Sequence, residues 1–449
     1  MQSTICALAS GQGGAVALVR LSGPDALVIT HTLTSKTQLF EPRRQTFCSI
    51  YDGKNILDKA LVTYFKAPHS FTGEDVVEFA LHGSPYIIGR TLELLCQSGA
   101  VPAKRGEFSQ RAFLNGKMDL VEAQGLCDLI AAGNQSAHRL AMNALDGKLS
   151  GKLSEIKTKL TELLAQIEVR LDDVDEEMTP LSTDFITQEI TAVLTAIRTL
   201  TDTFSVGRLI KDGLKVAIVG APNSGKSSLL NALVGFDRAI VTDVCGTTRD
   251  TVEETLEING QKIRLTDTAG IRAHALDVAE QEGMRRSKRA MENADVILFV
   301  LDSSRPVCAE EKQLWQDIQT QHKRTLIVLN KTDKPSSGKI DLENVTQYTQ
   351  FTVSCKTGAG LNELKNTLTA PMNEVEKDSL LISNLRHYEE LLRAQTELES
   401  ALMQLTKNAG GEIYAEHLRG ALTHLKDLMG EVTPDDILGV IFSKFCMGK

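Results

Sequence analysis

Several signals of secretion, metal binding and membrane insertion are missing from this chain of 449 residues. Its 8 cysteines are scattered, with no Cys-x-x-Cys pair and no Cys/His cluster at zinc spacing, which predicts a reduced, cytoplasmic protein without a structural metal. No apolar run reaches the roughly 18 residues that a membrane-spanning helix needs. No charged residue precedes Arg20 and glycines interrupt the first apolar run, so the N-terminus is a poor signal peptide.

An excess of positive charge is also missing. The formal net charge of −9 argues against a protein that coats nucleic acid by bulk charge, although a local basic patch is still compatible with it. The hydrophobic content of 42% and the charged content of 24% are ordinary for a globular protein. The length allows two or three domains with a well-buried core.

A glycine-rich segment, called here the phosphate loop, is the first positive signal. Residues 220–227 (GAPNSGKS) match G-x-x-x-x-G-K-[ST] and follow a run, Leu214–Val219, that is typical of a buried strand. The glycines let backbone N–H groups turn towards phosphates, and the helix that follows adds its positive N-terminus. Lys226 would reach the β- and γ-phosphates, and Ser227 would bind Mg²⁺. The lysine and the flanking pattern disfavour the alternative, a glycine turn in an ordinary α/β unit.

A second motif, residues 267–270 (DTAG), follows a strand predicted at 262–265. Asp267 can hold Mg²⁺ through a water molecule, and Gly270 can donate its N–H to the γ-phosphate. Taken alone, this motif is weak, since an aspartate next to a glycine is usually a turn.

A third motif, residues 330–333 (NKTD), called here the guanine loop, follows a strand predicted at 325–329. Asp333 can accept hydrogen bonds from the guanine N1–H and N2 amino groups. Adenine offers no matching donors and would leave the carboxylate unpaired. The stem of Lys331 can lie along the base, and residues 354–356 (SCK) fit a loop that closes over it.

The order of these motifs, with Thr247 and Thr248 between the first two, predicts GTP binding far more strongly than any one of them. The predicted nucleotide contacts are Asn223, Ser224, Gly225, Lys226, Ser227, Ser228, Thr242, Thr247, Thr248, Asp267, Thr268, Ala269, Gly270, Asn330, Lys331, Asp333, Ser354, Cys355 and Lys356.

Two residues bear on how GTP would be hydrolysed. Ile271 stands where Ras-like switches carry a glutamine that orients the attacking water, so another group must orient it or hydrolysis is very slow. The side-chain oxygen of Asn223 can help to coordinate a monovalent cation. The backbone geometry of the loop is an equally good explanation for an asparagine there.

Changes of pattern along the chain predict an α+β domain at 1–115, a helical segment at 116–212, a Ras-like α/β GTPase domain at 213–372 and a second helical segment at 373–449. Because the termini of a domain often lie close together, we predict that the GTPase domain is inserted into one helical bundle.

Apolar residues at helical spacing predict individual helices. The spacing from Leu149 to Leu171 predicts one long helix, and a second helical stretch follows at 183–209. The acidic run at 172–177 can bind metal, but a solvated linker is the better interpretation. Residues 433–436 (TPDD) predict the start of a last helix. Its expected apolar residues are Ile437, Val440, Ile441 and Phe445.

The C-terminus adds a resemblance to a known family. Residues 445–449 (FCMGK) resemble the F-C-[IVL]-G-K terminus of the MnmE (TrmE) family of tRNA-modification GTPases. The segments FTGED, HG, RGEFS and RAFLNGK resemble the N-terminal signatures of that family; they stand at 71–75, 82–83, 105–109 and 111–117. The resemblance covers the chain from end to end.

This resemblance implies a homodimer formed by N-terminal domains similar to folate-dependent aminomethyltransferases. It implies GTP, Mg²⁺, K⁺ and a tetrahydrofolate derivative (5-formyl- or methylene-tetrahydrofolate) as cofactors. The implied partners are certain tRNAs, modified at C5 of the wobble uridine, and MnmG (GidA), which carries FAD and would join a heterotetramer or larger complex. The implied folate contacts are Arg20, Glu78, Lys117 and Lys449.

The resemblance also implies roles in hydrolysis. K⁺ would bind at Asn223, Thr242, Val244 and Thr247, and Mg²⁺ at Ser227 and Thr248. In the pattern E-x-x-G-x-x-R-S, Glu280 would orient water, with Glu282 as the lesser candidate. Catalytic roles would fall on Glu280, on Lys226 and on Cys446, which the family places near the folate and tRNA chemistry. The alternative for Cys446 is a small packing residue.

Two other functions compete with this one. A GTP switch that binds ribosomal RNA during assembly generally carries a basic RNA-binding domain, which the acidic and helical flanks here do not provide. An independent folate-dependent methyltransferase in residues 1–115 is disfavoured by the small size of that segment and by its expected dependence on Lys449.

Overall fold

The structure is a computed structural model, and it describes residues 3–11, 13–34, 39–172, 179, 181–236, 254–266, 288–336, 340–373, 379–432, 434–443, 445 and 448. The chain forms two compact units. The first comprises Met1–Ile130, Asn143–Thr195 and Glu390–Lys449, and the second comprises Ala131–Met142 and Ala196–Glu389. The boundaries predicted at 115, 212 and 372 stay predictions.

The N-terminal part of the first unit is α+β. Its six-stranded sheet has the order β3-β4-β5-β2-β1-β6 and is antiparallel except for the β1–β6 pair. The strands are β1 (Ile5–Leu8), β2 (Val16–Ser22), β3 (Gln45–Asp52), β4 (Asn55–Phe65), β5 (Val76–His82) and β6 (Val101–Pro102). Helices α1 (Ala26–Leu33) and α2 (Pro85–Gln97) share a hydrophobic core with the sheet, so they cover one of its faces. Helix α3 (Glu107–Leu114) follows β6.

Long helices follow this sheet in the chain. They are α4 (Leu120–Ala131), α5 (Gln135–Leu145), α6 (Lys148–Leu171), α7 (Thr183–Thr201) and α8 (Phe204–Asp212). The stripe predicted from Leu149 is buried as far as Ile167, but Leu171 in the last turn is 41% exposed. The single stretch predicted at 183–209 is instead two helices. The break lies at Thr203, whose hydroxyl donates to the Leu200 carbonyl and accepts from the Ile382 N–H.

The second unit contains a six-stranded sheet of order β12-β11-β10-β7-β9-β8, parallel except for the β8–β9 hairpin. Its strands are β7 (Leu214–Val219), β8 (Glu254–Ile258), β9 (Gln261–Thr266), β10 (Val296–Asp302), β11 (Arg324–Asn330) and β12 (Thr349–Thr352). Helices α9 (Lys226–Phe236), α10 (Ala309–Thr320) and α11 (Leu361–Asn373) alternate with them. Two separate hydrophobic cores include alternate residues of β7, so helices pack on both faces of the sheet. This is a doubly wound arrangement, which agrees with the α/β fold predicted for the GTPase domain.

The C-terminal helices are α12 (Leu385–Thr406), α13 (Gly411–Met429) and α14 (Asp435–Ser443). Of the apolar residues predicted for this helix, Val440 lies in it but is 61% exposed. Leu438 and Phe442 are buried instead, because residues four apart share one helix face and both join a core with Leu120 of α4. Phe445 lies beyond the helix and is buried.

Among the helices that the structure describes, none combines the length and the apolar character needed to span a membrane. Within the same described residues, no three His, Cys, Asp or Glu side chains are grouped so that they would hold a metal ion.

Candidate functional site

The phosphate loop joins β7 to α9 at the carboxyl edge of the second sheet. A Cβ atom at Gly220 would lie 2.3 Å from the Val300 carbonyl oxygen on β10. A Cβ atom at Gly225, whose φ is +101°, would lie 2.0 Å from Asn330 Nδ2. Only glycine fits at these two positions, because the loop backbone lies directly against the neighbouring strand ends.

Lys226, the first residue of α9, folds back over this loop. Its Nζ atom donates to the carbonyls of Gly220 at 2.7 Å and Ala221 at 2.8 Å. Burial lowers the pKa of Lys226, while the nearby carboxylates of Glu310 and Glu311 act in the opposite direction. The amino group is therefore held at the loop by hydrogen bonds that a phosphate can replace. Ser227 and Ser228 follow it in the first turn of α9.

Asn330 ends β11 and connects the guanine loop to its neighbours. Its Nδ2 donates to the Ser224 carbonyl of the phosphate loop at 3.2 Å. Its Oδ1 accepts from the Lys331 N–H at 2.8 Å and from the Cys355 N–H at 3.4 Å. One buried amide thus holds together the three loops that the sequence motifs predict to meet around the nucleotide.

Lys331 spans the guanine and phosphate loops. Its Nζ donates to the Asn223 carbonyl and to Asp302 Oδ2, both at 2.6 Å. Asn223 and Lys331 have φ values of +62° and +66°, a left-handed backbone that asparagine tolerates better than lysine. Sequence reasoning missed Asp302. The available signal was that it ends a continuous apolar run, Val296 to Leu301, that is typical of a buried strand.

Asp333 is oriented by Ser354 in the 354–356 loop. The buried Ser354 hydroxyl donates to Asp333 Oδ1 at 2.8 Å, and this hydrogen bond lowers the pKa of Asp333, aided by the charges of Lys356 and Lys334. Burial raises the pKa of the neighbouring Cys355 thiol. Asp333 is therefore an ionised acceptor, as recognition of guanine requires.

The rest of the predicted nucleotide and catalytic residues lie outside the described residues. They are Thr242, Val244, Thr247, Thr248, Asp267, Thr268, Ala269, Gly270, Glu280, Glu282 and Cys446. Their assignments stay predictions.

In the first unit, Arg20 and Glu78 are brought together. They are direct neighbours across β2 and β5, and Arg20 Nε donates to Glu78 Oε1 at 2.8 Å. Both side chains are mostly buried. The Arg20 guanidinium also lies 5.1 Å from the Phe71 ring centroid and 5.6 Å from that of Phe108, within range of cation–π attraction.

Lys117 approaches the same segment from the end of α3. Its Nζ donates to the Pro68 carbonyl at 2.8 Å, and its stem passes beside Gly73. Lys117 thus contacts the segment that carries Phe71, whose ring lies beside the Arg20 guanidinium. The fourth predicted folate residue, Lys449, lies outside the described residues.

Arg111 and Glu74 belong to the motifs at 111–117 and 71–75, but the sequence predicts no role for either residue. Arg111 Nη1 lies 3.2 Å from both oxygens of Glu74, and its Nη2 lies 2.9 Å from Glu107 Oε1. Ser22 Oγ on β2 donates to Glu74 Oε2 at 2.7 Å. This buried network fixes the 71–75 segment against the strand that carries Arg20.

Gly448, near the C-terminus, lies against β1. A Cβ atom at Gly448 would lie 2.0 Å from the Leu8 carbonyl oxygen, and the preceding residue of β1, Ala7, pairs with Arg20. The neighbour of Lys449 is therefore close to the Arg20–Glu78 pair.

Comparison with known proteins bears on both units. The chain matches the family model for the MnmE helical domain at residues 120–446 and that for the GTP-binding protein TrmE N-terminus at residues 4–117. A tRNA modification GTPase MnmE of Acinetobacter baylyi is 41% identical to it, over 100% of this chain and 97% of that protein. The chain belongs to the MnmE family of tRNA modification GTPases. This confirms the family predicted from the sequence.

Other MnmE proteins are similar over the same extent. That of Bacteroides fragilis is 37% identical over 100% of both chains, and that of Akkermansia muciniphila is 40% identical over 100% of this chain and 99% of its own. Among solved structures, translation elongation factor SelB of Methanococcus maripaludis with a GTP analogue matches 36% of this MnmE-family chain and 34% of its own. That match has 19% identity and a TM-score of 0.28, which is too low to bear on the fold.

Proposed function

We propose that the chain is a K⁺-activated GTPase that works with the FAD-dependent protein MnmG on the wobble uridine of certain tRNAs. Together they would place a carboxymethylaminomethyl or aminomethyl group at C5, using a one-carbon unit from tetrahydrofolate. The observation that carries the GTPase part is the joining of the phosphate loop, the guanine loop and the 354–356 loop through Asn330. Membership of the MnmE family supports the tRNA part.

Selection of guanine would rest on Asp333. Its ionised carboxylate, oriented by Ser354, matches the two donors on the guanine edge, whereas adenine would leave it without a donor. Lys331 is held by Asn223 and Asp302, which places its stem between the two loops. These contacts support GTP as the nucleotide.

The metal ions would bind beside the phosphate loop. Ser227 at the start of α9 and Thr248 would hold Mg²⁺, and Asn223, Thr242, Val244 and Thr247 would hold K⁺. The geometry of Asn223 supports this assignment. Lys331 donates a hydrogen bond to the Asn223 carbonyl, which holds in place the backbone that carries the Asn223 side chain. When bound, K⁺ supplies positive charge against the transition-state oxygens. Glu280 would orient the attacking water in place of the glutamine that Ile271 replaces.

The folate site would use Arg20, Glu78, Lys117 and Lys449. The structural support is the mostly buried Arg20–Glu78 pair beside the Phe71 and Phe108 rings, with Gly448 lying on the adjacent strand. Mixed charges beside aromatic rings suit a pterin with a glutamate tail. Cys446, two residues before Gly448, would lie near the same chemistry.

The homodimer would form on the open face of the N-terminal sheet. Phe47, Leu61, Ala80 and Leu18 are paired neighbours across four strands, which makes one apolar row. Phe47 is 66% exposed and Leu61 is 40% exposed. An apolar row of this kind, exposed at Phe47 and Leu61, supports contact with a second copy.

The deciding experiment is steady-state GTP hydrolysis by the purified chain in KCl and in NaCl at equal ionic strength. We expect strong activation by KCl alone, because Na⁺ is smaller than the ion that the loop would hold. Equal and slow rates in both salts would contradict K⁺ activation and would favour a GTP switch. A pull-down that recovered ribosomal particles without MnmG would then identify that switch as an assembly factor.

A further inference from the structure

Asp302 is a buried acidic group at the GTP site that lies outside all the sequence motifs. Its side chain is 8% exposed. Its Oδ2 accepts from Lys331 Nζ at 2.6 Å, and its Oδ1 accepts from the N–H and the hydroxyl of Ser304 at 3.0 and 2.6 Å. One carboxylate oxygen is therefore held by Ser304, just beyond the end of β10, and the other by Lys331 of the guanine loop.

We infer that Asp302 is a positioning residue that fixes the Lys331 ammonium between the guanine loop and the phosphate loop. Through Lys331 it would set both the affinity for guanine nucleotide and the K⁺ concentration that hydrolysis needs. This inference rests on the proposed GTPase function and adds a residue to that site.

The lysine needs such an anchor for a physical reason. Its four-carbon stem loses considerable rotamer entropy when it is held in one conformation. Its other partner, the Asn223 carbonyl, is a neutral acceptor, whereas Asp302 adds the attraction of an opposite charge in a mostly buried position. Asp302 thus orders Lys331 before a nucleotide arrives, so binding does not have to supply that ordering.

The carboxylate stays charged at every pH at which the protein would work. Burial opposes its ionisation, but hydrogen bonds from Lys331 and Ser304 outweigh burial and hold the pKa of Asp302 at about 2. The anchor is therefore an ionised carboxylate in a mostly buried position.

The same lysine also contacts Asn223 in the phosphate loop. Lys331 binds the carbonyl of Asn223, whose backbone is left-handed and whose side chain is the proposed K⁺ ligand. If Lys331 moves, Asn223 loses the hydrogen bond that fixes it. Loss of Asp302 should therefore weaken guanine-nucleotide and K⁺ binding together, although Asp302 would contact neither.

The test is Asp302→Asn in the full-length chain, which keeps the shape of the side chain and removes its charge. We expect the Kd for fluorescently labelled GDP to rise by roughly tenfold or more, the size expected for a lost charged hydrogen bond. The KCl concentration for half-maximal GTPase activity should also rise, with kcat at saturating GTP and KCl little changed. The matched control is Asp341→Asn, whose carboxylate pairs with Lys312 in an exposed position, and which should behave as wild type.

A double-mutant cycle shows whether Asp302 acts through Lys331. In a Lys331→Met background, Asp302→Asn should cause no further loss of GDP affinity. Ser304→Ala removes one hydrogen bond to Asp302 but keeps the charge of Asp302, so it should cause a smaller loss of GDP affinity. This variant provides the test if Asp302→Asn fails to fold.

Wild-type affinity and KCl dependence in both Asp302→Asn and Ser304→Ala would overturn the inference. The inference would also be overturned if the loss of GDP affinity in Asp302→Asn added fully to the loss in Lys331→Met. GDP binding is measured without hydrolysis. A wild-type chain that binds GDP but does not hydrolyse GTP would therefore count against the proposed function. The comparison of GDP affinities between wild type and variants would still test the role of Asp302.

Discussion

At the scale of single residues, Asp333 is the side chain that we propose to select the base. In Asp333→Asn the carboxamide offers a donor where the guanine N2 amino group needs an acceptor, so GTP affinity should fall. Xanthosine triphosphate has an oxygen at C2 and should bind better than GTP. The fall in GTP affinity should be roughly a hundredfold, the upper range for a buried group left unpaired. Competition of both nucleotides against labelled GDP measures this, and unchanged preference for GTP would refute the assignment.

The residues of the nucleotide site differ in how far a sequence can reveal them. Asn330, Lys331 and Asp333 form a motif with fixed spacing, and the guanine edge requires their chemistry. Asp302 has no motif, since aspartates commonly end strands. Its role arises because the register of β10 and β11 places it opposite Asn330, within reach of Lys331. That register is a product of long-range pairing, so it could not be predicted from local sequence.

At the scale of elements, the contact between α14 and the start of α3 depends on one glycine. Gly106 has φ +69°, and a Cβ atom there would lie 2.3 Å from the Phe442 carbonyl oxygen. Gly116 has φ +66° with nothing within 4 Å of such an atom. Gly106→Ala should therefore destabilise the chain by about 1–3 kcal/mol more than Gly116→Ala, because only the first adds overpacking to backbone strain.

Urea unfolding of both variants measures that difference. Limited proteolysis should also show earlier cleavage near residues 435–443 in Gly106→Ala, because α14 would be displaced. Equal destabilisation by the two substitutions would mean that backbone strain explains the whole effect and that the α14 contact is not tight.

Elements were predictable where one local pattern determines them. Strand β7 and the long helix α6 were predicted from apolar spacing. The buried face of α14 was not, because Leu438 and Val440 are both apolar and only tertiary packing decides which is buried. The break at Thr203 likewise depends on a hydrogen bond from the distant Ile382 N–H.

At the scale of the whole molecule, distant segments of the chain join in each unit. Residues 131–142 cluster with 196–389, although they lie more than fifty positions away in the sequence. Within that unit, Gln261 Nε2 donates to Ser136 Oγ and to Asn373 Oδ1, at 2.9 and 3.0 Å. Helical periodicity indicates that such segments form helices, but it does not say which partner each helix contacts.

The proposed homodimer depends on the apolar row across four strands, so polar substitutions in that row should prevent a second copy from binding. Phe47→Ser combined with Leu61→Ser removes the two large exposed side chains of the row, and should convert the dimer to monomers in sedimentation velocity. Val28 and Leu39 are also apolar and exposed, at 66% and 83%, but lie outside the row, so the paired change to serine there is the matched control. Burial of a Phe and a Leu contributes about 1.5–3 kcal/mol each, so two copies of both changes would weaken association by several orders of magnitude. A dimer that persists in the row variant would place the interface on another surface.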